Sequence, residues 1–379
     1  MFQLISELLE KGFTKDDIVY VDFTDHRAKK VEFSEFLREV NSLFNKNAYL
    51  FLDEVQEIKD WSSFIRALHN LENYKLVISG SSSKLLSREI ATQLRGRSIS
   101  SIVFPFSFEE ILSLKNIEIN EASKAKLDEV LRVLNEYLEF GGYPEIVITE
   151  GKERKNEIGR VYYNTIFFQD IVERFKIRNV SLMNYFVGYC IANASSFLSI
   201  SKVEKEMTSM GISISKKTLA QYLRYVEEAL FVLPIKRFSY KYRERAKYPV
   251  KVYLVDNIYF NLEPRFSKDI GKRMENVVAL SLLKKKLQSL IDDVFYFKVN
   301  DKEVDFVVKD GLAIKRLIQV TCASNKDEIE KREFMSLVKA SKLLKCSDLT
   351  IITWDYKDEI KVGDKVIKCL PLWEWLIGH

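Results

Sequence analysis

The sequence predicts an α/β protein that is divided into two or three compact units. Its 379 residues are more than one ordinary hydrophobic core accommodates, and a content of 47% apolar and 30% charged residues predicts a folded chain. Short apolar runs alternate with helix-sized amphipathic segments over residues 1–110, which is typical of a sheet of parallel strands. The pattern is mainly helical over residues 111–195, and strands joined by tight turns return in the last third of the chain.

Composition excludes several classes of protein. No apolar stretch is long enough to span a bilayer and the N-terminus lacks the pattern of a signal peptide, so we expect a cytoplasmic protein without a membrane partner. The four cysteines are scattered without a C-x-x-C pair, and the three histidines are too dispersed for a histidine-rich metal site. Neither a disulfide framework nor a zinc ribbon is predicted, and a reducing compartment is expected.

The first part of the chain predicts alternating helices and strands. The predicted helices are Met1–Leu9, Phe33–Phe44 and Trp61–Leu71, and the predicted strands are Ile18–Phe23, Ala48–Asp53, Lys75–Ser79 and Ser100–Phe104. Each strand is a short apolar run of the kind that a parallel sheet buries on both faces. The helix-sized spacers between the first strands supply the connections that parallel strands need.

One of these strands runs directly into two acids, Asp53 and Glu54. A buried strand can hold a carboxylate at its C-terminal end, where Asp53 would bind Mg²⁺ and Glu54 would orient a water on a γ-phosphate. The alternative is purely structural, because strands that end in acids before a loop are common. The pair alone leaves both interpretations open.

Five short motifs that follow one another along the chain carry a family resemblance. They are Leu52-Asp-Glu-Val-Gln56, Ile78-Ser-Gly-Ser-Ser-Ser83, Leu94-Arg-Gly-Arg97, Pro105-Phe-Ser-Phe-Glu-Glu110 and Gly141-Gly-Tyr-Pro144. With these motifs, residues 13–145 resemble the AAA+ ATPase domain of a family of archaeal and bacterial ATP-binding proteins. In that family the domain is followed by a winged-helix region and a C-terminal nuclease-like domain.

The resemblance implies a P-loop NTPase-like sheet and a nucleotide site that uses ATP and Mg²⁺. It makes Asp53 and Glu54 the Walker B acids and Ser81 the polar sensor that holds the attacking water. It makes Arg97 an arginine that reaches a phosphate, in a neighbouring subunit if the chain forms a homo-oligomer. The alternative for Arg97 is a surface residue that pairs with Glu89 or another acid.

The sequence departs from the family at the phosphate-binding loop. The string G-x-x-x-x-G-K-[ST], whose backbone amides and lysine hold the phosphates, does not occur in the 379 residues. The segment Phe2–Gly12 resembles the family's helix after that loop, so we expect Met1 to lie just past it, as in a shortened reading frame or a decayed gene. The sheet would then lack its strand between Lys75–Ser79 and Ser100–Phe104. These two strands would close up, or another segment would fill the gap.

A concentrated basic segment follows the helical region. Residues 202–247 contain eleven Lys or Arg and five Asp or Glu, an excess of +6 that exceeds the +5 of the whole chain. Two helices and a hairpin in this segment predict a winged helix, which the family also has here. Its expected DNA contacts are Lys216, Lys217, Gln221 and Arg224 on the second helix and Arg243, Arg245 and Lys247 on the wing. Winged helices also bind proteins, so that alternative stays open.

The last part of the chain looks like the core of PD-(D/E)xK nucleases. Glu275 on a helix and Asp305 on a strand match two of the metal-binding acids of that core, whereas Gln319 and Thr321 occupy the places of its E-x-K motif. One metal-binding charge and the lysine are therefore missing. Two carboxylates would hold a divalent ion only weakly, so we expect a non-catalytic remnant of the fold.

These observations predict four regions. They are an AAA+ ATPase-like core without a P-loop (1–110), a helical lid or linker (111–195), a winged helix (196–256) and a nuclease-like domain (257–379). The expected function is that of a DNA-associated relative of AAA+ ATPases with an incomplete nucleotide site. The alternatives are an ATP-independent scaffold that binds DNA or protein, and a metal-dependent nuclease.

Overall fold

A computed structural model of the chain describes residues 1–44, 47–80, 98–117, 124–245, 247–264, 269–300 and 302–378. The chain divides into two compact units, residues 1–100 and residues 101–379. Among the described residues, no helix combines the length and the apolar character that a membrane span requires.

The first unit is a parallel sheet with helices between its strands. Its elements are α1 (Phe2–Glu10), β1 (Ile18–Asp22), α2 (Phe33–Leu43), β2 (Tyr49–Asp53), α3 (Trp61–Asn70) and β3 (Lys75–Ile78). β2 lies between β1 and β3, and both pairings are parallel. Leu50 and Leu52 of β2 are completely buried and pack against apolar side chains of α2 and α3. The predicted helices and the first three predicted strands of this unit are thus confirmed.

The predicted strand Ser100–Phe104 is wrong. Residues 98–107 form no strand or helix, and the side chain of Val103 is 93% exposed. The division between the two units falls between Ser100 and Ser101, inside the predicted strand. An apolar run becomes a strand only where a neighbouring strand edge accepts its hydrogen bonds, and the run has no ladder partner among the described residues. Phe104 and Phe106 instead pack against the apolar clusters of the second unit.

The second unit begins with helices and continues into a small antiparallel sheet. The helices are α4 (Phe108–Leu114), α5 (Lys124–Phe140), α6 (Pro144–Ile148), α7 (Lys152–Thr165, extended by the π-helical turn Ile166–Glu173) and α8 (Val180–Ala192). They are followed by β4 (Ser196–Leu198), α9 (Ile200–Ser209), α10 (Lys216–Glu228), β5 (Val232–Ile235), α11 (Tyr242–Arg245) and β6 (Val250–Leu254). β6 is the central strand and pairs antiparallel with both β4 and β5.

The two helices of the basic segment begin differently from each other. Ser215 caps α10, since its hydroxyl accepts a hydrogen bond from the Thr218 amide at 3.1 Å. α9 begins at Ile200 after Ser199, so Ser201 and Glu204 lie inside this helix and form no capping box at its start. Glu204 instead forms an ion pair with Lys216 at 3.4 Å.

The unit ends in a six-stranded mixed sheet. Its elements are α12 (Ile270–Leu287), β7 (Asp293–Val299), β8 (Lys302–Asp310), β9 (Ala313–Val320), α13 (Lys331–Leu344), β10 (Leu349–Thr353), β11 (Asp358–Val362), β12 (Lys365–Pro371) and α14 (Leu372–Gly378). The strand order is β11-β12-β10-β9-β8-β7, in which β7, β8 and β9 form an antiparallel meander and β10 lies parallel to β9 and β12.

Two of the sequence motifs meet in the second unit and position β6. Gly142 donates its amide hydrogen to Asp256 Oδ2 at 2.7 Å, and its carbonyl accepts the amide of Phe106 at 2.8 Å. Asp256 lies two residues after the buried end of β6 and also accepts the amide of Ile258 at 2.9 Å. The neighbouring Gly141 has a positive φ of 76°, which favours glycine. The Pro105–Glu110 and Gly141–Pro144 motifs are therefore structural parts of one joint.

The charge state of Asp256 should make stability depend on pH. Burial raises the pKa of this carboxyl from 3.8 to about 7. Because the folded-state pKa is the higher one, the contribution of the neutral carboxyl is complete below about pH 4 and is lost as the pH rises through about 7. Asp256→Asn lacks this titration. Between about pH 5 and pH 8 the free energy of unfolding of the wild type should therefore fall by roughly 2 kcal/mol more than that of the variant.

Urea unfolding at several pH values measures this difference. We expect the asparagine variant to be the less stable protein at pH 5, because its NH2 group replaces one of the two carboxyl oxygens that accept the amides of Gly142 and Ile258. Glu359→Gln on the exposed strand β11 is the matched control and should keep the wild-type pH profile. A pH profile of Asp256→Asn that parallels the wild type would contradict the assignment.

Candidate functional site

The acids predicted for nucleotide chemistry lie at the carboxyl end of β2. Asp53 is the last residue of the strand, next to Asp22 in the register of β1. Its Oδ2 accepts a hydrogen bond from the Tyr20 hydroxyl at 2.8 Å, and its Oδ1 accepts one from the Ser79 hydroxyl. The carboxylate is therefore held by hydroxyls that come from the strands on either side.

Glu54 turns the chain away from the sheet. Its φ of 51° lies in the left-handed region, and its carboxylate accepts a hydrogen bond from the Gln56 side-chain amide. The amide of Val55 donates a hydrogen bond to the carbonyl of Ser79 at 3.2 Å.

Burial and the hydrogen bond to Asp53 raise the pKa of Tyr20 to about 12, so its phenol stays a donor at neutral pH.

These residues do not complete a metal site by themselves. Within the ranges that the structure describes, no group of three or more His, Cys, Asp or Glu side chains is placed to hold a metal ion. Asp53 can offer one carboxylate whose oxygens already accept hydroxyl hydrogens. The predicted sensor Ser81 and the predicted arginine Arg97 lie outside the described residues.

Sequence reasoning missed Ser79 and Tyr20. The register gives the signal for Ser79, because Ile78 pairs with Leu52 and the next residue on each strand therefore meets at the sheet edge. Tyr20 lies two residues before Asp22 on the same face of β1, and its long side chain reaches across to β2.

The predicted DNA contacts on α10 lie on its exposed face. Lys216, Lys217, Gln221 and Arg224 are all exposed, whereas Leu219, Tyr222 and Val226 are buried. Acids partly balance this face, because Arg224 lies 3.8 Å from Glu228 and Lys216 pairs with Glu204. The Gln221 amide donates to the Tyr225 hydroxyl. Four of the predicted DNA contacts thus share one accessible face of one helix.

The predicted wing has a different construction from a simple hairpin. The chain after β5 runs along β7, where the Tyr296 amide donates to the Lys236 carbonyl and the Phe238 amide donates to the Tyr296 carbonyl. Arg243 and Lys247 are exposed. Arg245 donates to the Ser239 carbonyl at 2.8 Å, and its guanidinium lies 4.8 Å from the ring centre of Phe295. The fold therefore holds Arg245 in place, whereas Arg243 and Lys247 face solvent.

The C-terminal acids surround a lysine that the sequence analysis did not single out. The ammonium of Lys251, on β6, lies 2.9 Å from Glu275 Oε1, 2.8 Å from Asp305 Oδ1 and 2.6 Å from Glu303 Oε1. Tyr253, two residues further on the same strand, donates its hydroxyl to Glu275 Oε1 at 2.7 Å. The second oxygen of Asp305 accepts the amide of Val320 at 2.9 Å. Four elements of the fold thus converge on one charged group.

This group is largely removed from solvent. The side chain of Lys251 is 4% exposed and that of Asp305 is 7% exposed. The surrounding carboxylates hold the pKa of Lys251 well above its ordinary value, whereas burial raises the pKa of Glu275 to about 7. Lysine is almost never fully buried unless it is paired, so a lysine in the central strand β6 is the signal that could have identified the group.

A polar cavity of about 430 Å³ opens beside the lysine. Glu333 of α13 and Gln319 of β9 line it together with the acids. Glu333 Oε2 and Gln319 Oε1 are buried and have no hydrogen-bond partner among the described residues. Burial and the nearby Asp305 raise the pKa of Glu333 to about 7. Gln319, the residue that the sequence places at the position of the E-x-K acid, lies at the wall of this cavity.

Comparisons with known proteins give two family matches. A family described as an AAA domain matches residues 1–112, and a family described as a domain of unknown function matches residues 131–260. The chain is 35% identical to the uncharacterized protein MJ1544 of Methanocaldococcus jannaschii, over 98% of this chain and 85% of that protein. It is 25% identical to an uncharacterized protein of Haemophilus influenzae, over 82% of this chain and 76% of that protein. A solved structure, the Walker-type ATPase PABY2304 of Pyrococcus abyssi, matches with a TM-score of 0.41 and 13% identity, over 69% of this chain and 74% of that chain.

Proposed function

We propose that this chain, which belongs to the family of MJ1544, is an ATPase-family protein that itself binds duplex DNA through its residues 196–254. Its match to an AAA domain covers residues 1–112. The proposal rests on the face of α10 that exposes basic and amide side chains. This helix belongs to the same segment as a three-stranded antiparallel sheet.

The order of elements in this segment supports the proposal. β4, α9, α10, β5 and β6 follow the order of a winged helix, with α10 in the place of the helix that enters the major groove. The thirteen residues of α10 bury one apolar stripe and leave Lys217, Gln221 and Arg224 accessible on the other side. Lysine and arginine can neutralise phosphates, and glutamine and arginine can bind base edges.

Binding of a fluorescently labelled duplex tests the proposal directly. We expect anisotropy to show complex formation at about 50 mM salt and a linear fall of log affinity with log salt concentration, because phosphate contacts release counterions. Absence of binding at this low salt concentration would contradict the proposed DNA contact.

The nucleotide part of the function is proposed in a narrower form. Asp53 and Glu54 are at the sheet edge where nucleotide chemistry would take place, but two carboxylates repel the phosphates of ATP. The sequence supplies no G-x-x-x-x-G-K-[ST] cradle to offset that repulsion. We therefore expect the 379-residue chain to bind DNA whether or not ATP is present.

Thermal unfolding with and without Mg-ATP separates these two forms of the proposal. The expected result is a Tm that changes by less than about 1 °C at millimolar Mg-ATP, because only a ligand that binds the folded state raises the Tm. A larger rise that disappears in Asp53→Ala but persists in the surface control Asp16→Asn would establish a nucleotide site at β2 and contradict this expectation.

A further inference from the structure

Lys251 forms the centre of a closed charge group between two sheets. Its ammonium nitrogen lies within 2.9 Å of one carboxylate oxygen from each of Glu275, Glu303 and Asp305, so each of the three ammonium hydrogens has an acceptor. The lysine belongs to β6 of the small sheet, whereas the acids belong to α12 and to β8 of the large sheet. An ammonium has three donors, so this arrangement satisfies the lysine completely.

The group is positioned by further contacts on both sides. The side-chain oxygen of Asn276, next to Glu275, accepts a hydrogen bond from the Leu254 amide at 2.8 Å. The side-chain nitrogen of Asn276 donates one to the Leu254 carbonyl at 3.0 Å. The Phe197 ring of β4 lies 5.5 Å from the Lys251 ammonium. β6 and α12 are therefore held in one fixed relation, and the lysine cannot leave the acids by a simple rotation of an exposed side chain.

A divalent cation would compete with the lysine for the same oxygens. Mg²⁺ binds carboxylate oxygens at about 2.0–2.1 Å, so an ion held jointly by Glu275 Oε1 and Asp305 Oδ1 would lie within hydrogen-bond distance of the Lys251 ammonium. Two positive charges at that separation repel each other, and the repulsion is stronger where the charges are largely buried. Binding of one cation therefore opposes binding of the other.

We propose that the ammonium of Lys251 is the resident cation of this carboxylate site and occupies the place that a divalent metal would take between Glu275 and Asp305. The site then works as an internal ion-pair joint that fixes the small sheet to the large one, and it does not need a metal. This inference is independent of the proposed DNA contact, because it rests only on the contacts of Lys251.

The three acids are not arranged around a metal position while the lysine is present, but removal of the ammonium should free them to rearrange around a metal ion. Lys251→Ala leaves the three acids without their cation, and the loss of one partner of a buried ion pair is strongly destabilising. In EDTA we expect the Tm of the variant to fall by roughly 10 °C. Since the adjacent cavity of about 430 Å³ is open to solvent, Mn²⁺ can reach the acids and should restore roughly half of that loss.

Thermal unfolding of the full chain in EDTA and in Mn²⁺ tests the exchange. The wild-type Tm should be the same in both, within about 1 °C, because Lys251 already occupies the acids of this site. The double variant Lys251→Ala with Asp305→Asn is the matched control and should lose the response to Mn²⁺. A Lys251→Ala protein that has the wild-type Tm, or that ignores Mn²⁺, would overturn the proposal.

A measurement on the wild type keeps the proposal testable if Lys251→Ala does not fold. The electron paramagnetic resonance signal of free Mn²⁺ should be the same with the wild type and with Asp305→Asn, because Asp305 is already occupied by Lys251. Binding of Mn²⁺ to the wild type that is lost in Asp305→Asn would show that metal and lysine coexist, and the proposal would be wrong.

Discussion

Replacement of Gly142 by alanine is expected to lower the free energy of unfolding of residues 101–379 by about 3 kcal/mol or more. A Cβ at this position would lie 2.2 Å from the carbonyl oxygen of Phe106 and 3.1 Å from its carbonyl carbon. Both are backbone atoms, and the hydrogen bond from the Phe106 amide to the Gly142 carbonyl holds the two segments together. The chain can make room only by breaking that bond or the one to Asp256.

Guanidinium unfolding followed by tryptophan fluorescence measures the loss, because Trp354, Trp373 and Trp375 all lie in this unit. Gly271→Ala is the matched control, since a Cβ there meets no atom within 4 Å and the residue lies inside α12. That substitution should leave stability unchanged or raise it by up to about 1 kcal/mol. If both variants unfold at the same denaturant concentration, the close contact is not a constraint on the fold.

The first unit shows how far periodicity alone predicts a fold. The runs Ile18–Phe23, Ala48–Asp53 and Lys75–Ser79 become strands because each has a neighbour in a parallel sheet. The run Ser100–Phe104 is as apolar as Lys75–Ser79 but forms no strand, because the described chain brings no strand edge to it. Local pattern determines what a segment can form, whereas the partner decides whether it does so.

The candidate sites show the same limit at the level of side chains. Asp53 was predictable, because an acid after a buried strand must lie at the sheet edge. Glu275 and Asp305 were predictable as one group from their likeness to a nuclease core, but their cation was not. Lys251 lies on a different sheet, and its position two residues from Tyr253 gives no sign of which acids it meets until the sheets are packed.

The double substitution Lys217→Ala with Arg224→Ala is expected to weaken duplex binding by roughly tenfold or more near physiological salt. Both side chains are exposed on the face of α10 that would enter the major groove, and neither belongs to its buried stripe. Loss of two phosphate contacts should also reduce the slope of log affinity against log salt concentration by about 2. Because alanine favours helix, the fold of α10 should persist.

An acid on α10 allows a more specific test of the DNA contact than a loss of affinity alone. Glu228 lies 3.8 Å from Arg224, so Glu228→Gln should remove a competitor for that guanidinium and strengthen binding. Lys361→Ala with Lys368→Ala, on the exposed sides of β11 and β12, removes the same net charge from other elements of the fold and should leave affinity nearly unchanged. If both double variants weaken binding equally, the duplex responds only to net charge and α10 is not its contact. A loss confined to the α10 pair, with a gain in Glu228→Gln, places the duplex on that helix.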